Sequence, residues 1–254
     1  MLRSTTHAVF CSGVLCAATI EAAETNSFAT LAERAFNEAN ESVRRQPTNV
    51  VAFISLAQTA FDWAEFARHD DRRAELAQRG IDAARRAIAG SPTNAAAHYW
   101  LGMNIGQLAR TKSLGALKLV RELEEAFQRA RALDEHIDFA GPDRSLGFLY
   151  RDAPGWPASI GSKKKAREHF ENAVRLHPEF PANQLALLES FQEWGERQNF
   201  ARQFIVAGKV MAEVRQKFTG PQWDVNWRDW DERWAVLKSE ASEVGKPVQS
   251  KGRQ

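Results

Sequence analysis

Hydrophobic residues recur every three or four positions along nearly the whole chain after residue 27, and short clusters of Gly, Pro, Asn and Asp separate the periodic segments. This spacing places apolar side chains along one face of a helix, whereas a half-buried strand would alternate them at every second residue. No stretch of the sequence alternates in that way. The pattern therefore predicts an all-α protein with short connections between its helices.

The turn signals themselves recur at a nearly constant interval. "QPTN" around Pro47 is followed by "SPTN" around Pro92, by "LDEH" around Glu135 and by "LHPEF" around Pro178, at intervals of 45, 43 and 43 residues. A fixed period of this size indicates stacked helix pairs, because one pair cannot bury its apolar face without a neighbour.

The residues inside each period follow the tetratricopeptide pattern, which has a Leu-Gly pair and an aromatic on the first helix, then Ala, Phe and Ala before a closing Pro. The pairs are Leu56-Ala57, Leu101-Gly102, Leu146-Gly147 and Leu187-Leu188. We therefore predict a tetratricopeptide-like solenoid of about four helix pairs over residues 28–220, with an N-terminal helix from about Phe28. A standard repeat has 34 residues, and we expect the extra residues where each first helix turns into the second and, in the first repeat, also in a longer second helix.

The C-terminal region carries an aromatic stripe. Trp223, Trp227, Trp230 and Trp234 follow one another at helical spacing, and Leu237 continues the series. Repeat proteins need an atypical last element with one polar face, so residues 221–241 are predicted to form a Trp-rich capping helix. An exposed aromatic face for a partner is the alternative. The polar tail, residues 242–254, is predicted to be disordered.

The N-terminus resembles a secretory signal peptide. Arg3 precedes an apolar run over residues 8–20, which is too short to span a membrane as a helix, and small residues follow it. We predict cleavage after residue 22 and export to the periplasm; a buried N-terminal helix is the alternative. Both cysteines, Cys11 and Cys16, fall inside this segment, so the mature chain would have no thiol. No lipid anchor is expected, because bulky residues precede both cysteines.

Charge and motifs narrow the possible functions. The 254 residues include 34 basic and 32 acidic side chains, a formal net charge of +2, so no strong overall field favours nucleic acid or a membrane surface. The six histidines show no HExxH pattern, and no GxSxG or phosphate-loop motif occurs. We therefore predict a protein without enzymatic activity, cofactor or metal site.

The stretch from residue 141 to 170 combines a helix start, an enlarged turn and a lysine run. Pro142 suits a first helical turn, and Pro154 and Pro157 end that helix within "RDAPGWPASIG". Ser162 is placed to cap the next helix, and we expect Trp156 and Ile160 to fold back onto the helix pair. The three lysines that follow Ser162 predict a solvated face, with an anion or acidic partner as the alternative.

This stretch also resembles the signature region of the T-component family of tripartite ATP-independent periplasmic (TRAP) transporters. The shared features are a Gly-Pro, an aromatic-rich helix, an Ala-Pro-Gly-aromatic-Pro turn and a Lys-Ala helix in that order, within residues 92–195. The resemblance implies an all-helical periplasmic protein of modified tetratricopeptide repeats, which can trimerise and which binds a substrate-binding protein or a ligand. The chain departs from the family in lacking a clear lipobox and in having Ser162 where Asp is expected.

The repeat register identifies residues that would line a groove formed by the first helices. We predict that the groove binds a protein partner or an extended ligand, and the alternative is a pocket for a small organic anion lined by Tyr99, Arg144, Phe148 and Arg151. The predicted binding residues are Trp63, Tyr99, Met103, Gln107, Arg144, Phe148, Arg151 and Glu189, and the register also places Asp62, Asp152, Gln192 and Glu193 there.

Overall fold

The computed structural model describes residues 15–112 and 116–244, and the side chains within 27–112 and 118–241. The described residues form ten α-helices and no β-strand. The helices are α1 (Leu15–Arg45), α2 (Val50–Glu65), α3 (Asp70–Gly90), α4 (Ala95–Arg110), α5 (Ala116–Leu133), α6 (Ile137–Asp152), α7 (Lys163–Leu176), α8 (Pro181–Glu193), α9 (Arg197–Glu213) and α10 (Asp224–Val244). The prediction of an all-α, tetratricopeptide-like fold is confirmed.

The helix starts follow from the turn signals seen in the sequence. Asn49 and Asn94 each end a Pro-Thr-Asn turn, and their side-chain oxygens accept hydrogen bonds from the backbone amides of Val51 and Ala97. Such caps satisfy amides that have no partner inside the helix. Ser162 caps α7 as predicted, since its hydroxyl accepts a hydrogen bond from the Lys165 amide at 3.3 Å.

The described residues divide into two compact units, and the boundary falls between Ala166 and Arg167 of α7. In the first unit α4 packs against α2, α3, α5 and α6, so the first helices of successive pairs lie side by side. The repeat residues Leu56, Ala57, Ile105 and Leu146 are buried, as the tetratricopeptide pattern predicts. At Gly102 a Cβ would come within 2.6 Å of the Phe127 ring, which explains the small residue of that Leu-Gly pair.

In the second unit α8 packs against α9 and α10. The tryptophan stripe of α10 lies on its inner face. Trp230 is 1% exposed and packs edge-on against Phe180, and Trp234 stacks on Phe204 of α9. The indole of Trp227 donates a hydrogen bond to the Phe218 carbonyl at 2.7 Å. The stripe is therefore part of a core.

The extra length of the first repeat lies partly in a longer second helix, as expected, because α3 begins at Asp70 and runs for 21 residues. One detail differs from expectation. The expectation that Trp156 folds back is wrong: its side chain is 88% exposed. The glycines on either side of it, Gly155 and Gly161, pair through their backbones and project the indole outward as the tip of a closed turn.

Other predictions lie outside the described residues. The signal segment, residues 1–22, overlaps them only from residue 15, where α1 begins before the predicted start at Phe28. Most of the tail, residues 245–254, is also outside them. None of the described helices has the length and apolar character needed to cross a bilayer.

Candidate functional site

The least expected feature of the backbone is a left-handed turn at the start of α6. Asp138, Phe139 and Ala140 have φ angles of 49°, 53° and 61°, and none of them is glycine. Each such residue costs about 1–2 kcal/mol, because its Cβ approaches the following carbonyl oxygen. Regular helix resumes at Gly141 and Pro142, as the prediction of a helix start at Pro142 requires.

Two side chains hold this turn. The Tyr99 hydroxyl of α4 donates a hydrogen bond to Asp138 Oδ2 at 2.6 Å, and Arg144 Nη2 donates to the same oxygen at 2.6 Å. Arg144 Nη1 also donates to the Phe139 carbonyl at 3.2 Å. The guanidinium thus stabilises both the carboxylate and a carbonyl that the left-handed backbone turns away from the helix. Burial, and then the Asp138 charge, raise the pKa of Tyr99 well above its usual range.

Gly141 is required by this close approach. A Cβ at this position would lie 2.6 Å from Tyr99 Oη and 2.8 Å from Asp138 Oδ2. Both atoms are fixed by the hydrogen bond between them, so neither can move aside without breaking it. The Gly-Pro pair of the signature region therefore has a local structural reason.

A second polar network joins α2 and α4. The Gln107 side chain is buried and donates a hydrogen bond to Glu65. Arg110 Nη1 lies 3.2 Å from the same carboxylate as an exposed ion pair, which contributes little to stability by itself. The two networks place polar groups along the surface shared by α2, α4 and α6, which we call the first-helix face.

Asp62 of α2 lies near both networks but belongs to neither. Burial, and then the nearby charges of Glu65 and Asp138, raise the pKa of its carboxyl group to about 7. Within the described part of the chain no hydrogen bond or ion pair reaches this carboxyl group. Asp62 is thus a partly buried acid that shares its surroundings with two other acids.

The structure assigns internal contacts to most of the predicted binding residues. Tyr99 and Gln107 are buried, at 1% and 2% exposure, so they support the first-helix face from below. Met103 is partly exposed, and its sulfur accepts a hydrogen bond from the Ser145 hydroxyl at 3.7 Å. The ring of Trp63 contacts Phe36 of α1 and the guanidinium of Arg72 of α3.

The remaining predicted residues lie near the end of α6 and in the second unit. Arg151 pairs with Asp152 at 2.6 Å and lies over the Phe148 ring, which is partly exposed. In the second unit Glu189 makes a two-pronged ion pair with Arg233 of α10, at 2.7 and 2.9 Å. The structure therefore gives Glu189 the role of fastening the last helix.

These contacts argue against the organic-anion pocket that the sequence left as an alternative. Arg144 is engaged by Asp138, Arg151 by Asp152, and Tyr99 is below the surface. An anion would have to displace an internal carboxylate from each arginine. Replacing Arg144 would also loosen the left-handed turn, so its loss would affect the fold as well as any binding.

Comparison with known proteins supports the fold and gives one family match. Residues 19–139, somewhat less than half of the chain, match the family described as regulator of microtubule dynamics protein 1-3. The structure of TTC0263, a thermophilic TPR protein in Thermus thermophilus, is similar with a TM-score of 0.56 and 16% identity, over 88% of this chain and 95% of that one. No curated protein matches the chain in sequence.

A second solved structure, that of MamA, is similar with a TM-score of 0.51 and 18% identity, over 82% of this chain and all of that one. At such identities these likenesses establish a tetratricopeptide-like fold and leave function open. The function must therefore be argued from the first-helix face itself.

The sequence indicated part of this site. The register placed Asp62, Tyr99, Met103, Gln107 and Arg144 on one face, and the networks bring that region together. Asp138 was missed, because it precedes the helix start at Pro142 and reads as part of a turn between repeats. No residue in "IDFAG" before Gly141 signals a left-handed backbone, since glycine is the usual residue there.

Proposed function

We propose that the protein acts by binding, and that it holds an extended segment of a partner protein against the first-helix face. The observation that carries the proposal is the left-handed turn at residues 138–140, whose strain is offset by Tyr99 and Arg144. Strained backbone of this kind is concentrated at functional sites. Here it brings Asp138 from α6 into the same surroundings as Asp62 from α2.

The composition of the face suits a peptide. Met103 and Phe148 offer partly exposed apolar surface, and polar groups from α2, α4 and α6 lie beside them. An extended segment is bound by such a mixture, since apolar contacts give affinity and hydrogen bonds fix register. The array of first helices in the first unit supplies a rigid support for these groups.

A second part of the proposal concerns the protein's cellular location and the identity of its partner. We propose that residues 1–22 direct export to the periplasm and that the partner is a substrate-binding protein of a TRAP-type transporter. The signature residues from Gly141 to the Lys163 region, and the apolar segment that follows Arg3, support this proposal. A homo-oligomer is compatible with it.

Site-specific photo-crosslinking tests the binding face. We expect a benzoylphenylalanine at Met103 to crosslink one partner protein in cells of the source organism, whereas the same group at Gln78, exposed on α3, gives no such adduct. The partner is identified by mass spectrometry, and the purified pair is then titrated. Equal adducts from both positions, or no binding by the purified pair, would contradict the proposal. Capture of a periplasmic substrate-binding protein would support the proposed location and partner.

A further inference from the structure

We propose that the first-helix face accepts a lysine or arginine side chain of the partner segment at Asp62. The inference rests on the proposed function and adds the chemistry of the partner. Three acidic side chains lie near one another here, and only two of them have an arginine partner. Asp62 is the acid without one.

The two neighbouring acids are already neutralised within the protein. Asp138 accepts hydrogen bonds from Tyr99 of α4 and Arg144 of α6. Glu65 of α2 accepts them from Gln107 and Arg110 of α4. Among the described residues Asp62 has no such donor, although only part of its side chain is exposed. A carboxylate withdrawn from water is costly unless it is paired, so a cationic group from outside would satisfy it.

An organic cation fits this place better than a metal ion. Within the described residues, no three His, Cys, Asp or Glu side chains are grouped closely enough to hold one. Phe61 precedes Asp62 in α2, and its ring lies 5.8 Å from that of Trp100 in α4. Both rings are partly exposed. Aromatic surface on the same two helices suits the alkyl stem and the charged head of a long basic side chain.

Such binding depends on pH in a defined direction. The charged groups around Asp62 are Glu65 on α2, Arg110 on α4, and Asp138 and Arg144 on α6, and Arg72 of α3 lies over the adjacent Trp63 ring. Burial raises the pKa of Asp62 to about 7 in the free protein. A cation binds the ionised form, so binding below that pH must release a proton. The affinity should fall about tenfold between pH 8 and pH 6.

The test uses a displayed library of random ten-residue peptides and the full-length protein at pH 8. We expect selected peptides to share a lysine or arginine at one position, and their affinity to fall about tenfold or more with the Asp62→Asn variant. The matched control is Asp82→Asn, which removes an exposed carboxylate of α3 and should leave the affinity unchanged. Selected peptides without a shared basic residue, or with equal affinity for the Asp62→Asn variant, would overturn the inference.

A second variant separates this inference from the proposed function. Met103→Glu places a charge on the first-helix face away from the buried network. If peptides without a basic residue are selected and lose affinity with Met103→Glu, the face binds peptides and only the role of Asp62 is wrong. If no peptides are selected, or if none responds to Met103→Glu, the proposed function fails as well.

Discussion

At the scale of single residues, the site depends on one unfavourable stretch of backbone and the polar groups that compensate it. Three consecutive left-handed residues would each be destabilising in isolation. Tyr99 and Arg144 satisfy Asp138 and the nearby carbonyl oxygens, and Gly141 leaves the space that this arrangement needs. The side chains therefore stabilise a conformation that the local sequence does not favour.

The close approach at Gly141 gives a direct prediction. We expect Gly141→Ala to lower the free energy of unfolding by about 1–3 kcal/mol, because the new methyl group would overlap Tyr99 Oη. Urea denaturation followed by circular dichroism measures the change.

Gly106→Ala provides the control in α4. A Cβ there meets only Leu123 Cδ1, at 3.6 Å, and alanine favours a helix over glycine by about 1 kcal/mol. This variant should be neutral or more stable. An equal loss of stability in both variants would contradict the close-approach argument.

At the scale of elements, α10 shows how a stripe of aromatic residues holds a helix against its neighbours. Its inner face packs on the aromatic side chains of the second unit, and Arg233 fastens it to Glu189 of α8. Burial would lower the pKa of Arg233, but Glu189 and Asp229 together raise it, so the guanidinium stays ionised.

The buried stripe predicts a large difference between the two faces of α10. Trp230→Ala should destabilise the protein by about 3–5 kcal/mol, because it leaves a cavity next to Phe180. Val236→Ala changes a residue that is 46% exposed and should alter stability by no more than about 0.5 kcal/mol. Thermal unfolding of the two variants measures both effects. A small effect of Trp230→Ala would mean that the stripe is not a core.

At the scale of the whole molecule, basic and acidic residues are nearly equal in number. The change of stability with pH should therefore come mainly from a few groups with shifted pKa values. The formal net charge is only +2, so general repulsion is weak near neutrality. Asp62 has a raised pKa, so the folded state loses stability as the pH rises from the ordinary aspartate pKa near 4 to about 7, and the loss levels off above that pH. Glu179 behaves oppositely. Burial alone would raise its pKa, but its backbone amide and Lys217 together lower it, so its stabilisation is lost in acid.

The Asp62 contribution can be isolated by substitution. We expect Asp62→Asn to raise the free energy of unfolding at pH 8 by about 1–4 kcal/mol relative to the parent protein, and to have little effect near pH 4. The ordinary aspartate pKa is near 4, so the parent protein should lose stability between pH 4 and pH 8 that the variant retains. Urea titrations at the two pH values test this, and parallel curves for the two proteins would contradict it.

The sequence predicted the fold through its repeated signals. The Leu-Gly pairs, the buried alanines and the Pro-Thr-Asn turns are local patterns with a fixed spacing, and each has the structural role that the spacing implies. The site was predicted only in part. The register identifies which residues share a face, but the partner of each charge depends on contacts between residues about forty positions apart, such as Tyr99 and Asp138. The exposure of Trp156 likewise depends on how its turn closes.

The left-handed turn also constrains how the protein can change. Tyr99, Asp138, Gly141 and Arg144 meet at one point, so replacements among them should not have independent effects. A substitution at one of the four alters the consequences of substitutions at the other three. We therefore expect a lineage that remodels this part of the face to exchange these residues together, because a single exchange weakens the contacts that compensate the strained backbone.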